Sequence, residues 1–153
     1  MRAVVQRVTE AGVEIEGQTI SQIAQGLVVL LGIRHEDSEA DAEYLAAKIA
    51  NLRIFQDDQD KMNLSLLDVR GEALVISQFT LYGNTRKGRR PSFIEAAPPA
   101  KADPLYEYFM EMLSKQGISV KRGVFGAMML VRIHNYGPVT ILLDSEEQHK
   151  PRQ

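Results

Sequence analysis

The chain reads as a single α/β domain in which a curved or barrel-like, mostly antiparallel or mixed β-sheet is covered by two main helices. Three observations predict this class. Segments with a two-residue period or continuous β-branched content outnumber helical ones, only two stretches carry the helical period, and no regular strand–helix alternation or Gly-rich dinucleotide turn is present. At 153 residues there is enough chain for one ordinary hydrophobic core, and no repeat, low-complexity stretch or linker divides it.

The elements follow in order. Val4, Gln6 and Val8, then Val13 to Glu16, alternate as a half-buried strand does, and Glu16-Gly17-Gln18 predicts a hairpin turn into a short strand at Thr19 and Ile20. Gly26 opens a continuous apolar strand, Leu27 to Ile33, whose lack of alternation marks it as central. Asp37 and Ser38 resemble helix N-caps, and Ala42, Leu45, Ala46, Ile49 and Leu52 recur at helical spacing, which predicts a helix over about 38–51. Arg53 to Phe55 reads as a strand and Gln56 to Lys61 as its turn. Asp57, Asp58 and Asp60 superficially resemble a calcium loop, but the required glycine and closing glutamate are missing.

The run Ala73 to Tyr82 has the composition of a buried strand that leads into a basic loop. The second helix is expected to be capped by Asp103, with Pro104 at its first position, an apolar face of Leu105, Tyr108, Phe109, Met112 and Leu113, and a stop at Gly117. Three strands complete the domain: Ile118 to Lys121, Met128 to His134, and Val139 to Leu143. The last two are joined by a turn at Asn135-Tyr136-Gly137-Pro138, and the polar tail from Glu146 to Gln153 is expected to fray.

Composition excludes several function classes. The chain has no cysteine, so thiol nucleophiles, disulfides and thiolate zinc sites are ruled out. P-loop, nucleophile-elbow and helical His-pair signatures are missing. His35, His134 and His149 fall in a loop, at a strand end and in the tail, which suits neither a triad nor a metal cage, so no metal or cofactor is expected. The N-terminus lacks a signal-peptide pattern and no apolar run approaches a membrane span, which predicts a cytoplasmic protein with no membrane partner. A net charge of −2 argues against coating nucleic acid by bulk electrostatics but leaves room for a local basic site.

Three segments carry candidate chemistry. Ser77-Gln78-Phe79-Thr80 sets three polar side chains inside an otherwise apolar strand; it is either a strand end satisfied by neighbouring backbone or a terminus that presents N–H groups and hydroxyls to a polar substrate. Arg86, Lys87, Arg89 and Arg90 hold four of the eighteen basic residues; they form either a solvated loop or a phosphate grip. Gly137-Pro138 is an ordinary turn dipeptide, although a tight turn there could hold the cis form.

Together, the opening Met1 to Val8, Ser77-Gln78-Phe79-Thr80-Leu81-Tyr82, Lys87-Gly88-Arg89-Arg90-Pro91-Ser92-Phe93 and Asn135-Tyr136-Gly137-Pro138-Val139-Thr140 closely resemble, in order and spacing, the bacterial D-aminoacyl-tRNA deacylase family. The resemblance runs from Met1 to Ser145, making 1–145 the deacylase domain and 146–153 a tail. It implies hydrolysis of the ester joining a D-amino acid to tRNA, or glycine mischarged on the alanine tRNA, with L-amino acids rejected. It further implies a homodimer in which a cis Gly137-Pro138 turn enters the partner's active site, with Arg7 orienting that turn. Ser77, Gln78, Phe79 and Thr80 would form the catalytic segment, positioning the ester while the terminal 2′-hydroxyl assists water. Arg86, Lys87, Arg89 and Arg90 would contact tRNA, and neither DNA nor a cofactor is implied. Tyr136 stands where the family more often has an acidic residue, and Gly83-Asn84 replaces a small-plus-acidic pair. The rival readings are a non-catalytic RNA-binding module and an editing deacylase of altered chirality preference.

Overall fold

The computed structural model describes residues 1–152. The described residues form a six-stranded mixed sheet, a small two-stranded hairpin and a layer of two helices, in the order β1 (Arg2–Ile15), β2 (Gln18–Ile23), β3 (Gly26–Gly32), α1 (Glu39–Asn51), β4 (Phe55–Gln56), β5 (Met62–Leu64), β6 (Glu72–Ser77), α2 (Pro99–Lys115), β7 (Ser119–Arg122) and β8 (Leu130–Asp144). The main sheet runs β2-β1-β3-β6-β7, and β8 pairs with the other edge of β1, while β4 and β5 form a separate small hairpin. The β3–β6 and β6–β7 pairs are parallel and the rest antiparallel, the mixed arrangement expected.

β1 organises this curvature. Its first half pairs with β3 and its second half with β2, so the sheet bends where β1 changes partner. Against β8, Val8 pairs with Asn135 but Ala11 with Ile133, leaving one extra β1 residue at Thr9–Glu10. Such a bulge reverses the side-chain alternation. Ala3 and Val5 therefore face the helices, while Ala11 and Val13 join Val8 in a second core with Ile23, Val28, Leu74 and Ile76 on the opposite face. β2 reaches toward the far edge of the sheet, where the Ser21 hydroxyl donates to the Arg122 carbonyl of β7 at 2.8 Å. The sheet is thereby nearly closed.

The two helices cover one face. Ala42, Leu45, Ala46 and Ile49 of α1 and Leu105, Tyr106, Phe109 and Leu113 of α2 lie buried against Leu27, Val29 and Leu31 of β3. Tyr106 ties α2 to the sheet through a hydrogen bond from its hydroxyl to the Val75 carbonyl at 2.7 Å, a contact of about 1 kcal/mol. α1 starts as expected, with the Asp41 carboxylate accepting the Ser38 N–H at 2.8 Å. Asp37 instead lies buried and pairs with the Met1 ammonium at 2.6 Å.

Several boundaries differ from the sequence reading, each for a local reason. α2 begins at Pro99, one turn before Asp103: Pro99 takes the first helical position and Ala102 packs into the core, leaving Pro104 inside the helix. Pro104 then forgoes one helical hydrogen bond, a cost offset by packing of the longer helix. The strand expected over 73–82 stops at Ser77, because Gln78 turns the chain into a 3-10 turn, Phe79–Tyr82. The β-type reading of Met128 and Met129 fails because Gly126, at φ 75°, and a hydrogen bond from Ala127 N–H to the Val124 carbonyl hold a turn before β8 starts at Leu130. The first residues of the expected frayed tail form a 3-10 turn, Ser145–His149, with Asp144 accepting the Glu146 N–H. No helix among the described residues is long and apolar enough to cross a membrane.

Candidate active site

A cleft of about 800 Å³ opens where β6 ends. Ser77, Gln78, Phe79 and Thr80 line it together, and the turn explains how. Gln78 N–H makes the last sheet bond, to the Leu31 carbonyl at 2.8 Å, and its carbonyl then accepts from Leu81 N–H at 3.2 Å. The first N–H groups of a 3-10 turn have no acceptor within it, so those of Phe79 and Thr80 are unused by the turn itself. The Gln78 amide donates to the Thr80 hydroxyl, linking the two polar side chains to each other.

The rest of the wall is apolar. Phe93, Ala96 and Ala97 return from the basic loop, Pro99 and Ala102 come from the start of α2, and Phe125 to Met129 precede β8. Phe79 and Phe93 meet edge to face with centroids 5.2 Å apart, yet Phe79 remains 54% exposed. This wall escaped sequence reasoning. Its residues are single aromatics, alanines and methionines whose sequence pattern equally suits core packing, and only the fold brings them to one place.

Arg86, Lys87, Arg89 and Arg90 are exposed on the loop that connects the cleft-lining Thr80 and Phe93 in sequence. Asn84 and Ser92 pin its base through paired backbone bonds of 2.7 and 2.9 Å, and Gly88 sits at the tip with φ 67°. Among the described residues, none of the four cations has a carboxylate partner within ion-pair distance. They are therefore available to an external anion.

Gly137 and Pro138 lie elsewhere. The expected turn between two strands is instead an excursion within β8: Gln6 pairs with Thr140 and Val8 with Asn135, so Tyr136, Gly137, Pro138 and Val139 all stand opposite Arg7 without ladder partners. The two flanking stretches continue along the same neighbour because a local pouch, unlike a hairpin, does not reverse the chain. The Gly137–Pro138 bond is cis, and both residues are exposed. Neither lines the cleft of its own chain.

The pouch is held from both ends. The Asn135 side chain accepts the Val139 N–H at 2.9 Å and donates to the Thr140 hydroxyl at 3.0 Å. Arg7, only 4% exposed, donates from Nε to the Tyr136 carbonyl and from Nη1 to the Ile54 carbonyl, both at 2.9 Å, and from Nη1 to the Gln56 side-chain oxygen. Gln56, on the small β4–β5 hairpin, carries no sequence signal for this role, because its partner is 49 residues away. His35 and His134 stand apart from the cleft, with His35 bonded to the Ile94 carbonyl and His134 facing Glu10.

A family model described as D-Tyr-tRNA(Tyr) deacylase matches residues 4–144. The D-aminoacyl-tRNA deacylase of Dehalococcoides mccartyi is 57% identical over 152 residues, covering 99% of each chain. A solved structure described as c-Myc DNA unwinding element binding protein is 45% identical, with a TM-score of 0.88, and covers 94% of this chain and 98% of that one. Another, described as a probable eukaryotic D-amino acid tRNA deacylase, shares the fold with a TM-score of 0.78 at 17% identity, over 93% of this chain and 97% of its own.

Proposed function

The chain belongs to the D-Tyr-tRNA(Tyr) deacylase family, hydrolases that act on the aminoacyl-tRNA ester, and we propose that the cleft over Ser77–Thr80 is where the D-aminoacyl ester is cleaved. The observation that supports this placement is a largely apolar cleft lined by Phe79 and Thr80, whose N–H groups the 3-10 turn leaves unused. The apolar wall suits the terminal adenosine, and the N–H groups suit an oxyanion.

In this reading water adds to the ester carbonyl carbon, assisted by the terminal 2′-hydroxyl, and the tetrahedral oxyanion accepts those N–H groups. The bond to the ribose 3′-oxygen then breaks, that oxygen takes a proton, and free amino acid and tRNA leave. Ser77, Gln78 and Thr80 position the ester and supply no covalent nucleophile. Arg86, Lys87, Arg89 and Arg90 hold tRNA phosphates, as guanidinium and ammonium groups do.

The working unit is a homodimer. Support comes from the separation of the Gly137–Pro138 pouch from its own cleft, which leaves it free to enter a partner's. Carbonyls of that pouch would fill the space an L side chain needs, while D side chains point outward and glycine, including glycine mischarged on the alanine tRNA, passes. Exclusion of this kind discriminates more strongly than one methylene of hydrophobic contact. A cytoplasmic location fits this substrate. Hydrolysis of matched D-tyrosyl-, L-tyrosyl- and glycyl-tRNA tests the reading: cleavage of the first and last is expected, and efficient cleavage of the L ester overturns it. Light scattering is expected to show a dimer, and a fully active monomer would refute the shared site.

A further inference from the structure

The amino acid's α-ammonium is the one fixed charge on the acyl part of the substrate, and the proposed site offers it no counter-charge. Every side chain lining the cleft is uncharged, the polar ones being Ser77, Gln78 and Thr80. Glu95, which lies in sequence between the wall residues Phe93 and Ala96, is exposed and does not line it. The pouch that would close the site contains Asn135, Tyr136, Gly137, Pro138 and Val139, none of them acidic.

The pouch also has a cation behind it. Arg7 is buried, no carboxylate among the described residues lies within ion-pair distance of it, and its Nη2 would stand 2.8 Å from a Cβ built on Gly137. A guanidinium this close to the turn disfavours a second positive charge on the turn's other side. What the turn does offer is backbone carbonyl oxygen, an acceptor for any donor. A hydroxyl also donates to that acceptor; its bond is weaker than an ammonium's, but a smaller desolvation cost and the absence of repulsion from Arg7 offset the difference.

We propose that this enzyme also hydrolyses D-α-hydroxyacyl esters of tRNA, because the site reads the α-substituent as a hydrogen-bond donor and not as a charge. The inference rests on the placement of the ester given above. The reaction balances as for the aminoacyl ester: water oxygen bonds to the carbonyl carbon, the bond to the 3′-oxygen breaks, that oxygen takes the proton, and a D-α-hydroxy acid is released. Handedness is still enforced, since exclusion acts on the side chain and not on the α-substituent.

The test is to charge one tRNA separately with D-phenylalanine, D-phenyllactate and L-phenyllactate and measure hydrolysis by the native protein. Each rate is divided by the uncatalysed rate of the same ester, which removes the intrinsic difference in reactivity. The expected enhancement for D-phenyllactyl-tRNA lies within about tenfold of that for D-phenylalanyl-tRNA, with L-phenyllactyl-tRNA resistant. A site whose affinity rests on the charge of the ammonium would discriminate against the hydroxyl analogue by more than this margin, because the hydroxyl keeps the donor but not the charge. Cleavage of the D-phenylalanyl ester with a deficit beyond about tenfold for the D-phenyllactyl ester overturns this inference and leaves the proposed site standing. Equal cleavage of both phenyllactyl esters also overturns it. Failure to cleave the D-phenylalanyl ester overturns the proposed function itself, and this inference with it.

Discussion

Replacing Gly137 by alanine separates the role of the pouch from ordinary backbone strain when it is compared with Gly17→Ala. Gly17 lies in the β1–β2 turn at φ 78° with nothing within 4 Å of an added Cβ, so alanine there meets only the left-handed backbone penalty of about 1–2 kcal/mol. Gly137 sits at φ 134°, and its added Cβ would lie 2.8 Å from Arg7 Nη2 and 2.9 Å from Val139 Cγ2. The guanidinium must move, and its charged hydrogen bond to the Tyr136 carbonyl is worth a further ~1.5–3 kcal/mol. For a chain of this length, where each kcal/mol lowers Tm by roughly 2–4 °C, Gly17→Ala should cost about 2–8 °C and Gly137→Ala about 5–20 °C. Thermal melts check the stability difference, and single-turnover hydrolysis of D-tyrosyl-tRNA well below both transitions checks the function. The expected rate is unchanged for Gly17→Ala and lower by about tenfold or more for Gly137→Ala. A Gly137→Ala protein that melts no lower than Gly17→Ala and keeps the native rate would refute the reasoning.

Three further outcomes are expected. Alanine at Arg86, Lys87, Arg89 and Arg90 should weaken binding of all tRNAs alike and flatten the slope of log affinity against log salt by roughly 0.7–0.9 per lost phosphate contact; an unchanged slope would make the loop a bystander. Thr80→Ala should keep substantial activity if, as proposed, the hydroxyl only positions the ester, whereas a fall of several orders of magnitude would make it a nucleophile. The Ser65 N–H holds the Asp68 carboxyl below its ordinary value of 3.8, so its stabilisation is present above that pH and is lost as pH falls through the depressed value. The gap in Tm between the native protein and Asp68→Asn should accordingly narrow as pH drops below 3.8, and a gap that stays constant would count against that linkage.

Local patterns were sufficient for much of the fold. The continuous apolar run of β3, the helical period of α1 with its Ser38 and Asp41 start, and the Glu16-Gly17 turn all depend on neighbours a few residues away, so the amino-acid order alone specifies them. The order and spacing of the Met1, Ser77, Lys87 and Asn135 segments were likewise enough to identify the family. Tertiary structure decided what depends on distant partners. The bulge near Thr9 switches the buried face of β1 because β8 fixes its register, and α2 starts at Pro99 because Ala102 finds a place in the core. Only the fold separates Gly137 and Pro138 from Ser77–Thr80 and sets Arg7 between the pouch and Gln56. The physical reason is the same in each case: backbone propensity and periodicity are properties of short segments, whereas the position of a buried charge or the wall of a cleft is set by side chains that meet only after the sheet has closed.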